Sequence, residues 1–121
     1  MDPAIERALD ADLVIDITTT GRKSGLPRRT EIWFHRFDGV VYITGTPGTR
    51  DWYANLLAHP EFTFHLKQSV KADLRARATP ITDDAERRAV VERVVKKLER
   101  PASRVEEYLA GSPLVRVELE A

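Results

Sequence analysis

Residues 17–33 read ITTTGRKSGLPRRTEIW and place two extended segments on either side of a polar loop. The loop carries two hydroxyls and four cations, contributed by Thr20, Ser24, Arg22, Lys23, Arg28 and Arg29. Gly21 and Gly25 allow positive φ, so that consecutive backbone N–H groups can turn toward one point, as they do in phosphate-binding nests. The stretch therefore favours an anion-binding loop between two strands. A solvated hairpin loop is the alternative, since the spacing is that of neither a P-loop nor a Gly-x-Gly-x-x-Gly motif.

The composition limits the classes of function. The chain has 121 residues, 19 basic and 19 acidic side chains and no cysteine. This length predicts a single domain over 1–121, and the zero net charge gives no overall attraction to nucleic acid or to a membrane surface. The absence of cysteine excludes disulfides, thiolate metal sites and a cysteine nucleophile. Because the first residues lack a signal-peptide pattern and no apolar run approaches about 18 residues, we expect a cytoplasmic protein without a stable membrane anchor.

Alternating apolar and polar residues predict six strands, most of them joined as antiparallel hairpins. These strands cover 12–19, 29–37, 40–46, 62–66, 70–78 and 114–119. Helical spacing and capping patterns predict four helices: 3–11, one around 52–57, one that begins with the capping box Asp83/Glu86, and a short one that begins with the capping box Ser103/Glu106. The sequence thus predicts an α+β fold in which helices pack on a small, closed or nearly closed β-barrel.

The second predicted strand is apolar on both faces. Trp33 and Phe37 lie on one face, and Ile32 and Phe34 lie on the other. A strand of this kind suggests a protein core on one side and a ligand or partner on the other.

Three stretches, in this order and spacing, resemble the deazaflavin-dependent nitroreductase family. They are residues 18–28 (TTTGRKSGLPR), 42–46 (YITGT) and 52–60 (WYANLLAHP). The resemblance implies a six-stranded, mostly antiparallel split β-barrel with flanking helices, the FMN-binding split-barrel fold related to pyridoxamine-phosphate oxidases. It also implies binding of coenzyme F420, an 8-hydroxy-5-deazaflavin that carries a phosphate and an oligoglutamate tail.

The same resemblance implies a set of coenzyme-binding residues. Lys23 and Arg28 match the family's phosphate-binding lysine and arginine, and Arg22 and Ser24 lie beside them. The positions that match the walls of the ring slot are Ile32, Trp33, Thr44, Gly45, Thr46, Trp52 and Asn55. Plain core packing is an equally good reading of Trp52.

The implied reaction is hydride transfer from the reduced coenzyme to a small organic acceptor such as a quinone, an enone or a nitroaromatic. Such a transfer needs no protein nucleophile and no metal, because the coenzyme carries the reaction while the protein positions the ring and the acceptor. Tyr53 and Tyr108 are candidate proton donors, with water as the alternative, and both also fit ordinary structural roles. The histidines His35, His59 and His65 have no metal-ligand spacing, and no serine–histidine–aspartate arrangement can be argued from the sequence.

Two positions depart from the family pattern. Glu31 stands where the family often has a proline, and its carboxylate is expected either to repel an anionic coenzyme or to pair with Arg29. Pro47 stands where a lysine or similar polar residue is common.

Other functions remain open at this stage. The same barrel is compatible with FMN, whose single phosphate needs fewer cations, or with a non-catalytic carrier of the coenzyme, a fatty acid or haem. Nucleic-acid binding is disfavoured because no aromatic side chains alternate with the basic ones. The expected partner is a small-molecule hydride acceptor, and the chain is expected to be a monomer or a homodimer.

Overall fold

The computed structural model describes residues 1–120 as six strands and four helices. In chain order they are α1 (Pro3–Ala11), β1 (Val14–Thr20), β2 (Pro27–Phe37), β3 (Val40–Thr44), α2 (Asp51–Ala58), β4 (Glu61–Leu66), β5 (Ala72–Pro80), α3 (Asp84–Lys97), α4 (Arg104–Gly111) and β6 (Leu114–Leu119). The predicted strands and helices are present, with ends that shift by a few residues.

The strands form a closed barrel in the order β1-β2-β3-β6-β5-β4, and every neighbouring pair is antiparallel. The predicted α+β barrel is therefore confirmed. In the β1–β2 pair, Val14 lies opposite Trp33 and Thr20 lies opposite Pro27, so the basic loop connects two paired strands. The predicted Asp38-Gly39 turn joins β2 to β3, and both of its residues have positive φ, 52° and 79°.

The barrel interior is filled by the alternate residues of the strands. Ile15, Ile17 and Ile43 are fully buried there, and the ring of Phe34 packs edge-on against that of Phe64 at a centroid distance of 5.3 Å. Burying side chains of this size contributes about 1.5–3 kcal/mol each. This interior packing holds the rim residues of the barrel in place.

A second apolar cluster lies outside the barrel, where α3 and α4 cover the outer side of β2, β3 and β6. Val91, Val94 and Tyr108 are buried in it, and Phe37 and Tyr42 pack against it. The apolar outer face of β2 is thus covered by helices at its Phe37 end, whereas the Trp33 indole is 42% exposed.

The helix caps agree with the sequence at one position and differ at another. The Asp83 carboxylate accepts a hydrogen bond from the Glu86 N–H at 2.9 Å, as the capping box predicts. The capping box predicted at Ser103 is wrong, because its side chain makes no cap hydrogen bond and the Glu106 carboxylate pairs with Arg88 at 2.9 Å instead. Competition from a cation on the neighbouring helix accounts for this difference.

Candidate active site

Two adjoining depressions form the candidate site. The first, which we call the basic pocket, has a volume of about 510 Å³ and lies between the β1–β2 connection and the start of α2. Its walls are formed by Gly21, Arg22, Lys23, Ser24, Pro27, Arg28, Arg29, Thr30, Asp51, Trp52 and Asn55.

The second depression, which we call the tryptophan cavity, has a volume of about 400 Å³. It is walled by Thr30, Glu31, Ile32, Trp33, His35, Thr44, Gly45, Thr46, Arg50, Trp52, Val94, Leu98, Arg100 and Tyr108. Because Thr30 and Trp52 line both depressions, the basic pocket and the tryptophan cavity are neighbours.

Part of the backbone of the basic loop is hydrogen-bonded within the protein. The Gly21 N–H donates to the Leu26 carbonyl and the Gly25 N–H donates to the Gly21 carbonyl, both at 2.8 Å. The Arg22 N–H donates to Asn55 Oδ1 at 3.0 Å, and the Leu26 N–H donates to Ser24 Oγ at 3.2 Å. The expectation of free amides is therefore wrong at these four positions, whereas the N–H groups of Lys23 and Ser24 make no hydrogen bond within residues 1–120.

The four cations of the loop differ in what they contact. The Arg22 guanidinium lies 3.1 Å from Asn55 Oδ1 and 3.4 Å from the Asp51 carboxylate, and Arg29 pairs with Asp16 at 3.0 Å. Lys23 and Arg28 make no ion pair with any of residues 1–120. Lys23 and Arg28 are therefore the two cations of this loop whose charges are not paired with a carboxylate of residues 1–120.

Asn55 lies beneath this loop. Its side chain is 4% exposed, accepts from the backbone and side chain of Arg22 and donates to Thr19 Oγ1 at 3.3 Å. It lines the basic pocket but not the tryptophan cavity, and its contact with a coenzyme ring stays a prediction. Sequence reasoning did not anticipate this positioning role.

The other positions proposed for the ring slot come together around the tryptophan cavity. They are Ile32, Trp33, Thr44, Gly45, Thr46 and Trp52. Trp52 is 6% exposed and belongs to the barrel core as well, so the core-packing interpretation is confirmed, whereas its contact with a coenzyme stays a prediction. Thr44 Oγ1 donates to the Pro113 carbonyl at 2.6 Å, which fixes the end of β3 against the start of β6.

The two candidate tyrosines have different locations. Tyr108, on α4, is 4% exposed and lines the tryptophan cavity. Tyr53 packs edge-on against Trp52 at a centroid distance of 5.9 Å and lines a separate pocket. Of the two tyrosines, Tyr108 therefore lines the tryptophan cavity and Tyr53 does not.

His35 is a cavity residue that the sequence interpretation treated as ordinary. It is 1% exposed, and its Nδ1 lies 3.1 Å from the Lys97 Nζ. Burial, and secondarily the Lys97 charge, lower the pKa of His35 to about 4. A neutral imidazole whose Nδ1 accepts from an ammonium carries its proton on Nε2, so His35 is an uncharged donor in this wall. Its burial depends on α3, and no local pattern could have revealed it.

Glu31 does not pair with Arg29. Its carboxylate hydrogen-bonds to the Lys67 amine, which also contacts Asp16 at 2.7 Å. The expected Glu31–Arg29 pair is wrong because strand β4 brings Lys67 beside both carboxylates. These contacts raise the pKa of Lys67, chiefly through the hydrogen bond to Asp16 and next through the hydrogen bond to Glu31.

Two further observations concern the described residues 1–120. No helix among them is long and apolar enough to cross a bilayer. No group of three or more histidine, cysteine or carboxylate side chains within this range has the arrangement of a metal site.

Solved structures share this architecture. A conserved hypothetical protein from Mycobacterium tuberculosis superposes with a TM-score of 0.77 at 17% identity, covering 100% of this chain and 82% of that one. A pyridoxamine 5'-phosphate oxidase-like protein from Listeria innocua gives a TM-score of 0.68 at 12% identity, with 97% and 91% coverage. An F420-H2 dependent reductase gives 0.64 at 21% identity, with 88% and 95% coverage. The chain therefore has the split-barrel fold used by flavin and deazaflavin oxidoreductases.

Sequence comparison specifies the family. The model of the F420H(2)-dependent quinone reductases matches residues 4–118, and the chain belongs to this family. It is accordingly an F420H2-dependent reductase, which confirms the resemblance to deazaflavin-dependent enzymes.

Proposed function

We propose that the chain reduces a quinone with hydride from reduced coenzyme F420, with the coenzyme's phosphate and glutamate carboxylates in the basic pocket and its ring in the tryptophan cavity. The observation that carries this proposal is the junction of the two depressions at Thr30 and Trp52. A ligand that is anionic at one end and planar at the other matches a site that is cationic at one end and apolar at the other. Enones and nitroaromatics are alternative acceptors of the same hydride.

The residues present fit the coenzyme. Lys23 and Arg28 have no carboxylate partner within residues 1–120, so their charges are available to an anion without first breaking an ion pair. The Trp33 indole, 42% exposed at the cavity, gives a flat apolar wall. The Lys67 ammonium, which Glu31 shares with Asp16, reduces the repulsion that the Glu31 carboxylate would exert on an anionic ligand.

The protein's own part in the reaction is positioning and proton supply. When bound, the reduced coenzyme supplies the hydride. Addition of one hydride to a quinone gives the hydroquinone monoanion, and one proton then gives the neutral hydroquinone. Tyr108 is the proposed donor of this proton, because its phenol is the acidic group that α4 brings to the cavity. The neutral His35 contributes a hydrogen-bond donor without adding a positive charge to the wall.

The direct experiment is a titration of the purified protein with oxidised and reduced coenzyme F420, followed by a turnover assay with menadione. Micromolar binding together with F420H2-dependent reduction supports the proposal. A yellow preparation with bound FMN, and no F420 binding, would contradict it in favour of a flavin. Tight F420 binding without turnover of quinones, enones or nitroaromatics would make the chain a carrier.

A further inference from the structure

A third pocket, about 600 Å³ in volume, lies beside the tryptophan cavity. We call it the lateral pocket, and it lies between residues 48–54 on one side and residues 110–113 on the other. The Gly48 N–H donates to the Gly111 carbonyl at 3.0 Å, so the two sides are tied together by a backbone hydrogen bond. The pocket is therefore a fixed feature of the fold, of the size that small-molecule sites have.

Most of the surface that faces this pocket is apolar. Ala54, Ala110 and Pro113 contribute aliphatic groups, and Tyr53 contributes an aromatic ring. Such a surface favours a ligand with an apolar body, because moving apolar surface of the ligand and the pocket out of water lowers the free energy.

Two guanidinium groups also line the lateral pocket. Arg50 donates to the Thr46 carbonyl and hydroxyl at 3.0 and 2.7 Å and to the Thr49 carbonyl at 2.9 Å. Arg87, on α3, donates to the carbonyls of Ile81, Ser112 and Leu109 at 3.0, 2.9 and 3.4 Å.

These contacts do not neutralise either charge. All of these acceptors are uncharged oxygens. Within residues 1–120, no carboxylate lies within 4.0 Å of a guanidinium nitrogen of Arg50 or Arg87. A guanidinium has five N–H donors, so both Arg50 and Arg87 keep donors for a further acceptor. Two unneutralised cations beside an apolar surface attract an anion more strongly than they would in open water.

We propose that the lateral pocket is a second small-molecule site, which binds an apolar molecule carrying one negative charge, such as an aromatic carboxylate. Its anionic group lies against Arg50 and Arg87, and its body lies against Ala54, Ala110 and Pro113. Because Arg50 also lines the tryptophan cavity, the two sites are neighbours that share one wall. The site does not require the coenzyme.

The test is an NMR titration of ¹⁵N-labelled protein, without coenzyme, using 4-nitrobenzoate and its uncharged counterpart 4-nitrobenzamide. We expect 4-nitrobenzoate to give saturable shifts of the Gly48 and Gly111 amides, and 4-nitrobenzamide to bind at least tenfold more weakly. Equal binding of the two probes, or shifts confined to residues of the tryptophan cavity such as Gly45, would overturn the proposal.

Two variants make the assignment specific. Ala110→Trp fills the pocket from an exposed position of α4 that does not line the tryptophan cavity, and it should abolish the 4-nitrobenzoate shifts. Arg50→Gln should lower 4-nitrobenzoate affinity about tenfold while leaving 4-nitrobenzamide unchanged. The matched control is Ala102→Trp, at an exposed position that does not line the lateral pocket. Retention of 4-nitrobenzoate binding by a folded Ala110→Trp protein would contradict the proposal, whatever the coenzyme assays show.

Discussion

Replacing Lys23 and Arg28 together by alanine should weaken coenzyme F420 binding by about 30-fold. Both side chains line the basic pocket, both are exposed, and neither has an ion-pair partner within residues 1–120. The substitutions therefore remove two contacts to the ligand without breaking a bond in the free protein. Arg22 differs from Lys23 and Arg28 in this respect, because its guanidinium donates a hydrogen bond to Asn55.

The magnitude follows from the exposure of the two cations. A charge-assisted hydrogen bond contributes about 1.5–3 kcal/mol when it is shielded from water, and an exposed ion pair contributes at most about 1 kcal/mol. Assigning about 1 kcal/mol to each cation gives about 2 kcal/mol for the pair. Since 1.4 kcal/mol corresponds to a factor of ten, the loss is about 30-fold in Kd.

The assay is quenching of coenzyme fluorescence on titration with protein at several salt concentrations. The native protein should bind more weakly as salt rises, because the Debye length shrinks to about 8 Å at 0.15 M. The double variant should show a smaller salt dependence as well as the weaker binding. A matched control, Lys71→Ala/Arg75→Ala, removes the same two charges from exposed positions that line neither depression of the candidate site.

A loss below threefold, with an unchanged salt dependence, would refute the placement of the anionic tail in the basic pocket. An equal loss in the control would attribute the effect to net charge instead. Either result would mean that the coenzyme's phosphate binds outside the basic pocket, and neither would change the fold.

Three further predictions concern the cavity wall and the loop. Tyr108→Phe should lower kcat for menadione at least tenfold while coenzyme affinity stays within twofold, as steady-state kinetics and titration will show. His35 has a folded-state pKa of about 4, below its ordinary 6.5, so the unfolded chain binds the extra proton first as pH falls. The free energy of unfolding should thus decrease by about 2.5 kcal/mol between pH 7 and pH 4.5 through this group, and the His35→Phe variant should lack that part of the decrease in urea titrations. Asn55→Ala should destabilise the protein by about 2 kcal/mol in urea unfolding, because it removes buried hydrogen bonds to the basic loop.

Each of these three predictions would be contradicted by a specific result. An unchanged kcat in Tyr108→Phe would assign the proton to water. Parallel pH profiles of the native and His35→Phe proteins would mean that the imidazole is not desolvated. Leu57→Ala, at a 54% exposed position of the same helix as Asn55, is the matched control for the loop, and an equal destabilisation by both variants would remove the special role of Asn55.

The side-chain contacts that could not be predicted from the sequence are those between strands that lie far apart along the chain. Glu31 was expected to meet Arg29, two positions away on the same strand, but β1 lies between β2 and β4 and brings Lys67 to the carboxylates of Asp16 and Glu31. No spacing of residues along the chain predicts this contact of Lys67 with the two carboxylates. The basic loop shows the same limit, since four of its amides were expected to face a ligand and instead bond within the loop and to α2.

A hydrogen-bonded threonine–histidine–aspartate chain on the outer face of the barrel is another product of tertiary structure. Thr18 Oγ1 lies 2.7 Å from His65 Nε2, and His65 Nδ1 lies 2.6 Å from Asp73 Oδ1. The hydrogen bond to His65 lowers the pKa of Asp73. The three residues come from β1, β4 and β5, which the barrel makes adjacent, and their sequence separations match no motif.

The sequence by itself determined the local features of this protein. They are the period-two alternation of the strands, the Asp38-Gly39 turn, the Asp83 cap and the cations of the loop. These features depend on neighbours within a few residues, so a linear reading reaches them. Barrel closure and the packing of α3 decided the rest, including the burial of His35, the placement of Tyr108 and the wall formed by Arg50. Burial and ion pairing depend on which distant segments meet, and only the folded chain brings those segments together.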